Sequence, residues 1–464
     1  MNAHLGLILT YSAALIGLGV WVGRRVTGSD DFFVAGRRLG PGLLFTTMLA
    51  ANIGAGSTVG ATGLGFRDGL SAWWWVGSAG IGSLILAWSV GPSIWRIAKA
   101  HDLRTVGDFL EWRYHRNVRG IVAALLWIGT LAILAGQLIA LAWVLEVVAG
   151  VPKTFGCVIG GIVMTSYFVA GGLLSSAWVN LVQLGVLIVG LGATLPVVLS
   201  RAGGWTAVLM QAPHDGYTNL LSGGESGLAY VAMLVPAFVV SPGLLQKIYG
   251  ARDEGAVRRG VACNGVALLL FALVPVLFGM AARALHPELS NHELALPTVL
   301  VQDVPLLLGS LGLAAVFSAE ISSADALLFM LATSLSQDLY KGFVNPDATD
   351  RRVLAVARAA AIGGGGAGVA IAIVAPSIID ALAVFYTLLS VSLLVPIVAG
   401  LYLERVGTPE AVAAIFGGVG LVLLARLDVV SIDVTGWSPA LAGLIGAAAG
   451  AILVRAIIAH RSHH

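Results

Sequence analysis

Charge is what this sequence has least of. Only 11% of its 464 residues are Asp, Glu, Lys or Arg, against about 25% in an ordinary soluble domain. The net charge of +2 marks no nucleic-acid partner and no strongly acidic one. Cysteine is nearly absent. Cys157 and Cys263 lie in apolar runs and are expected as buried thiols, which excludes a disulfide framework and a cysteine metal cage. Histidines fall mostly in loops and tails. No nucleophile–base pair and no metal cluster sits at membrane depth, so an enzyme is not expected. No cleavable signal peptide is expected either, because the first apolar run is long enough to stay as a helix. No sizeable soluble domain is expected at either end.

What is present is apolar. The chain is 58% hydrophobic, with mean hydropathy +0.92, and runs of about 20 apolar residues cross a bilayer as helices. The expected fold class is therefore an all-α polytopic membrane protein, with the lipid bilayer as its surroundings. About thirteen spans are expected, near 5–23, 40–66, 71–98, 118–149, 154–171, 175–200, 226–247, 257–283, 305–338, 353–375, 378–403, 409–426 and 435–457. Basic residues set the direction. With the N-terminus outside, only Arg67, Lys153, Arg201, Arg283 and Arg426 face out, which leaves 21 of the 26 basic residues inside with the C-terminus. Adding or dropping one span scrambles that division.

The stretch 311–341, LGLAAVFSAEISSADALLFMLATSLSQDLYK, is apolar enough for the bilayer. It nevertheless carries Ser318, Glu320, Ser322, Ser323 and Asp325. Polar groups at that depth are costly and mark function by default. On a helix Ala319, Ser322 and Ser323 share one face. Two hydroxyls beside a small residue offer the neutral oxygens that a hard cation needs as it sheds water; serine back-bonding to its own helix competes with that reading. In the second span, Asn52-Ile53-Gly54-Ala55-Gly56-Ser57-Thr58 is poor in helix propensity. A break is expected there, and unwound backbone is tolerated at such depth only in protein or along a cavity. In the seventh span, Pro236 and Pro242-Gly243 remove helix donors. Two interrupted spans, five apart and starting on opposite sides, point to inverted repeats with a site between them.

Four stretches in order carry a resemblance. They are SDDFFVAGRRLGPG (29–42), AANIGAG (50–56), ISSADALLFMLATSLSQDLYK (321–341) and PIVAGLYLERVGTPEAVAAIFGG (396–418). Together they resemble the sodium:solute symporter family over nearly the whole length. The resemblance implies a single membrane transport domain over 1–464 with the LeuT-type inverted five-helix repeat. An extra helix at 5–23 precedes it, the repeats cover 40–200 and 226–403, and two further helices lie within 409–457. It implies Na⁺ as coupling ion, held by the carbonyls of Ala50, Ile53 and Ala319 and the hydroxyls of Ser322 and Ser323. Asn52, Gly54, Gly56, Ser57 and Trp74 are the expected solute contacts.

WVNLVQ (178–183) has Asn180 where many relatives have Asp, which favours one ion per cycle. Asn180 and Asp325 are candidates for ion coupling or gating. The sugar branch has a carboxylate where Trp73-Trp74-Trp75 stands and a lysine near Cys263 and Asn264. The chain is therefore expected nearer the proline-like branch, with an amino acid or a carboxylate as solute in a multi-pass protein of the cytoplasmic membrane. Proton coupling through Asp325 or Glu320 on the same fold, and a sensor without net transport, are the alternatives. No organic cofactor is expected, and nothing in the sequence sets the oligomeric state.

Overall fold

The computed structural model describes residues 3–23, 37–170, 173–221, 229–427 and 438–461. Positions 29–36 of the first family-like stretch lie outside them. The described residues contain no sheet, only one isolated bridge between Leu39 and Ala251. Ten helical stretches among them are long and apolar enough to cross a membrane. Shorter helical pieces, Ala3–Leu15, Pro41–Asn52 and Lys153–Ser166, stand where the expected thirteen spans go beyond those ten. Spans two and three run together after the break, as one stretch from Gly56 to Trp88.

The chain opens with α1 (Ala3–Gly23) and α2 (Pro41–Asn52), which starts on Pro41. At Ile53 the backbone turns extended, φ −96° and ψ 97°. Helix resumes as a wide turn at Gly56–Gly60 and continues as α3 (Ala61–Asp68). Gly54 is required in this break, since a Cβ there would lie 2.3 Å from Ser323 Oγ. The third span is α4 (Trp73–Trp88) and α5 (Val90–Ala100), and a short α6 (Val106–Arg113) precedes the long α7 (Arg116–Ala149). Then come α8 (Lys153–Ala170), α9 (Leu173–Arg201) and the short α10 (Gly204–Met210). Gly69 takes φ +69° because the Tyr217 carbonyl occupies the space of a side chain there. That contact seats the 211–221 loop on the start of span three.

The seventh span is also broken, at a place the prolines only half announce. Pro236 stays inside α11 (Ala229–Val239). The interruption falls at Val240 and Ser241, and Pro242 starts α12 (Pro242–Tyr249), where a missing N–H costs nothing. Next are α13 (Glu254–Phe271), α14 (Leu273–Leu285) and α15 (Ala295–Gln302). The central helix is α16 (Leu306–Thr333), almost wholly buried, and it widens into a π-helical turn over Ser334–Val344. It packs against α1, α2, α7, α9, α15 and α17 (Asp350–Val374). The chain ends with α18 (Ile378–Tyr402), α19 (Thr408–Arg426) and α20 (Pro439–Arg461).

Lipid is as apolar as leucine, so helices in it associate by close packing rather than by the hydrophobic effect. That explains much of the glycine. A Cβ on Gly417 would meet the Gly446 carbonyl at 2.5 Å, and one on Gly418 the Gly443 carbonyl at 3.1 Å, along the α19–α20 seam. Outward faces carry exposed Ile362, Phe416, Leu423 and Ile452. Cys157 is buried as expected, but Cys263 is exposed on α13, because that helix turns Asn264 rather than its neighbour inward.

At one end of the bundle Arg119 ties three segments together. Its guanidinium reaches Glu111 at 2.7 Å, Asp108 at 3.0 Å and Asp338 at 2.9 Å. Thr105 donates its hydroxyl to Asp338 at 2.7 Å. A chamber of about 30 Å³ lined by Thr130, Gln246, Thr333 and Asp338 lies on one side. On the other is a vestibule of about 650 Å³ lined by Arg104, Glu111, Arg116 and Arg119.

Candidate ion and solute site

The serine face of α16 meets the last turn of α2. Ser322 Oγ donates to the Ala50 carbonyl at 2.8 Å and lies 3.1 Å from the Ala319 carbonyl. Ser323 Oγ donates to the Ala51 carbonyl at 3.2 Å. Ala50, Ala319, Ser322 and Ser323 thus come together as the sequence suggests, buried at 3% exposure or less. Ile53 is also buried, and its extended backbone turns the chain away from α2. Ala51 was not anticipated, yet two successive hydroxyls on one helix face two successive carbonyls on another.

The fit to a monovalent cation rests on the chemistry of these donors. They are neutral oxygens with no formal charge among them, which suits a weakly held ion and not a dication. Among the described residues no group of His, Cys, Asp and Glu is arranged to hold a metal. Asp325 is buried on α16, and Lys247 is buried on α12. Asn180 is buried on α9.

The break itself is held by side chains from elsewhere. Gln137 of α7 accepts from the Ala55 N–H at 2.8 Å. The Ser57 and Thr58 N–H groups both donate to the Gly54 carbonyl, at 2.9 and 3.0 Å. Ser57 Oγ turns back to the Asn52 carbonyl at 2.9 Å. Asn52 donates to Asn264 at 3.2 Å, and Asn264 donates to Ser83 at 3.1 Å. Asn52 therefore joins spans two, eight and three.

Of the three successive tryptophans, Trp75 faces the break. A Cβ on Gly56 would lie 3.2 Å from its Nε1 and 2.3 Å from Leu382 Cδ2. Trp75 packs edge-on against Tyr230 and Tyr386, and Tyr386 also meets Phe238. Trp74, the expected solute contact, instead donates to the Leu220 carbonyl at 2.8 Å and packs against Trp73. Successive helix positions differ by about 100°, so one of the three had to face inward. Gln137 and Tyr386 carry no such signal in the sequence, since each is a lone polar position within an apolar span.

The sodium:solute symporter family profile matches residues 32–418. The chain belongs to the sodium:solute symporter family. As a member of the sodium:solute symporter family it is a sodium-coupled membrane transporter of a small-molecule solute, not an enzyme. It is 26% identical to the sodium/pantothenate symporter of Escherichia coli, covering 94% of this chain and 93% of that one. It is 25% identical to the sodium/glucose cotransporter of Vibrio parahaemolyticus over 76% of this chain and 71% of that one. It is 24% identical to the sodium/proline symporter of Escherichia coli, over 76% and 72%. These near-equal identities do not rank sugar, vitamin and amino-acid relatives against one another. A Na⁺-coupled sialic acid symporter solved in a substrate-bound outward-open state shares the fold, with TM-score 0.83, 17% identity and 97% of both chains covered.

Proposed function

We propose that this symporter of the sodium:solute family imports a small organic solute, an amino acid or a carboxylate, together with one Na⁺ across the cytoplasmic membrane by alternating access. The observation that carries the reading is the convergence of Ser322, Ala50 and Ala319 oxygens at the break in span two. In this reading Na⁺ takes the carbonyls of Ala50, Ile53 and Ala319 and the hydroxyls of Ser322 and Ser323. The solute lies beyond the break, along Gly54, Gly56 and Ser57, against Trp75 and Tyr386. Asn180 and Asp325 modulate ion release. The thirteen-span arrangement, outside N-terminus and repeats at 40–200 and 226–403 complete the proposal, supported by the charge asymmetry and the two breaks.

An ion that bridges α2 and α16 favours whichever state brings them together, by its differential affinity for the two states. The same coupling makes solute tighten the ion as much as the ion tightens solute. Moving one net positive charge inward with a neutral solute gains about 2.3 kcal/mol per 100 mV.

Thermal unfolding of the purified protein in sodium, potassium or choline chloride, over a panel of amino acids, carboxylates and sugars, tests this. Stabilisation by sodium alone among the cations, with one solute class adding to it only when sodium is present, supports the reading and names the class. Equal unfolding in all three salts sinks it.

A further inference from the structure

The two serines of α16 hold only the first half of the broken span. Ala50 and Ala51, their partners, both precede the break. A third contact crosses to the other side. Thr58 Oγ1, in the wide turn after the break, lies 2.9 Å from Oε1 of Glu320 on the same helix α16. Thr58 Oγ1 also lies 2.9 Å from the Gly54 carbonyl. That carbonyl already accepts two backbone N–H groups, which fill its two lone pairs. The one hydroxyl hydrogen of Thr58 can serve only one of these two oxygens, and the Gly54 carbonyl is the one already supplied by backbone donors.

Glu320 is fully buried, and Thr58 is its hydrogen-bond partner at Oε1, while Oε2 has no hydrogen-bond partner among the described residues. A carboxyl group at this depth with a single polar contact is costly to keep. Leucine at the same place would give the helix the same bulk without that cost. The contact it does make joins α16 to the second half of span two, across the break from the Ser322–Ala50 and Ser323–Ala51 bonds.

We infer that Glu320 is a positioning residue. By holding Thr58 it makes the half-helix after the break follow α16, so that an ion bound at Ser322 and Ser323 orders both halves of span two. This rests on the proposed ion site. Without Glu320 the ion would still order α2, but the segment 56–68, which carries Gly56 against Trp75 and Leu382, would no longer respond. The solute side would lose its knowledge of the ion.

Hydrogen–deuterium exchange, read by peptide in sodium against potassium chloride, tests the inference with the ion alone as probe. In the wild-type protein sodium should slow exchange severalfold in both 41–52 and 56–68. In Glu320→Leu the slowing should persist in 41–52 and fall to near onefold in 56–68. Thr58→Val should copy it, and the double variant should be no worse than either single one, as for two ends of one contact. Glu320→Gln, whose amide oxygen still accepts from Thr58, should restore the wild-type pattern. A merely structural role would raise exchange in either salt without changing which segment answers to sodium. If 56–68 in Glu320→Leu and Thr58→Val answers to sodium as in wild type, or if Glu320→Gln fails like Glu320→Leu, the inference is wrong. If no wild-type segment answers to sodium, the ion site itself is wrong and the inference falls with it.

Discussion

The Ser322 hydroxyl donates to the Ala50 carbonyl at 2.8 Å, although 272 positions separate the two residues. That bond joins the helix that ends at a break to the helix that runs through the centre of the bundle. It also sets the first expectation. A ligand that binds only the folded state stabilises it by RT ln(1 + [L]/Kd), about 2.7 kcal/mol at a hundredfold excess over Kd. Ser322→Ala/Ser323→Ala should lose the sodium-specific part of that gain while unfolding cooperatively in potassium. Melting curves of both proteins across a sodium titration measure it.

Gly54 makes a sharper test of the same geometry. A methyl group there would lie 2.3 Å from Ser323 Oγ and 2.7 Å from Gln137 Oε1. Overpacking of this kind costs about 1–3 kcal/mol, and here it also pushes aside a hydroxyl of the ion site. Gly54→Ala should melt lower and lose sodium stabilisation together. Gly363→Ala on α17, where a methyl group would meet nothing within 4 Å among the described residues, is the control and should keep both.

Arg119 carries a different prediction. Arg119→Gln leaves Asp338, only 7% exposed, without its countercharge. Removing one partner of a buried pair costs about 3–5 kcal/mol. Asp338→Asn should cost less, because Arg119 keeps Asp108 and Glu111. Thermal unfolding of the two variants side by side gives the order, and the reverse order would contradict it.

Glu293 predicts a pH dependence. It lies in the short turn His292–Leu294 outside the spans, accepting from Trp143 Nε1 at 2.8 Å and from the Ile378 N–H at 2.7 Å. Burial pushes its carboxyl above the ordinary glutamate value, against the downward pull of those two donors and of Lys153. The folded state then binds more protons than the unfolded one, so this group's contribution is greatest below the ordinary value, about 4.3. It is lost as pH rises through the folded value. Glu293→Gln should flatten that fall. Its amide accepts from only one of the two donors, so it should also melt lower. Melting temperature from about pH 4 to pH 8 separates the two effects.

The break in span two was legible because Asn52, Gly54 and Gly56 outweigh the one strong helix former there, Ala55, and the serine face because Ser322 and Ser323 lie three and four positions after Ala319 and so share its side. The break in span seven was legible only roughly. Pro236 sits in intact helix, and the interruption comes at Ser241, since a proline can be absorbed when neighbouring helices hold the strand of backbone before it. Trp74 and Trp75 could not be told apart. Which of them faces the break depends on the rotation of α4, fixed by the approach of Gly80 to the Gly265 carbonyl on α13, a contact between residues far apart in sequence. Gln137 and Thr58 acquire their roles the same way, from partners that only the folded bundle supplies.

Near the start of the chain, Tyr11 of α1 hydrogen-bonds Ser318 of α16, and His4 meets Ser310 at 2.7 Å. Tyr11 and its partner are 307 residues apart. At a synthesis rate of roughly 5–20 residues per second, the first helix leaves the ribosome about 15 to 60 seconds before the surface it is shaped for exists. Until then it can lean on α7, α8 and α9, which it also touches and which are made earlier, and its bonds to Ser310 and Ser318 wait for α16.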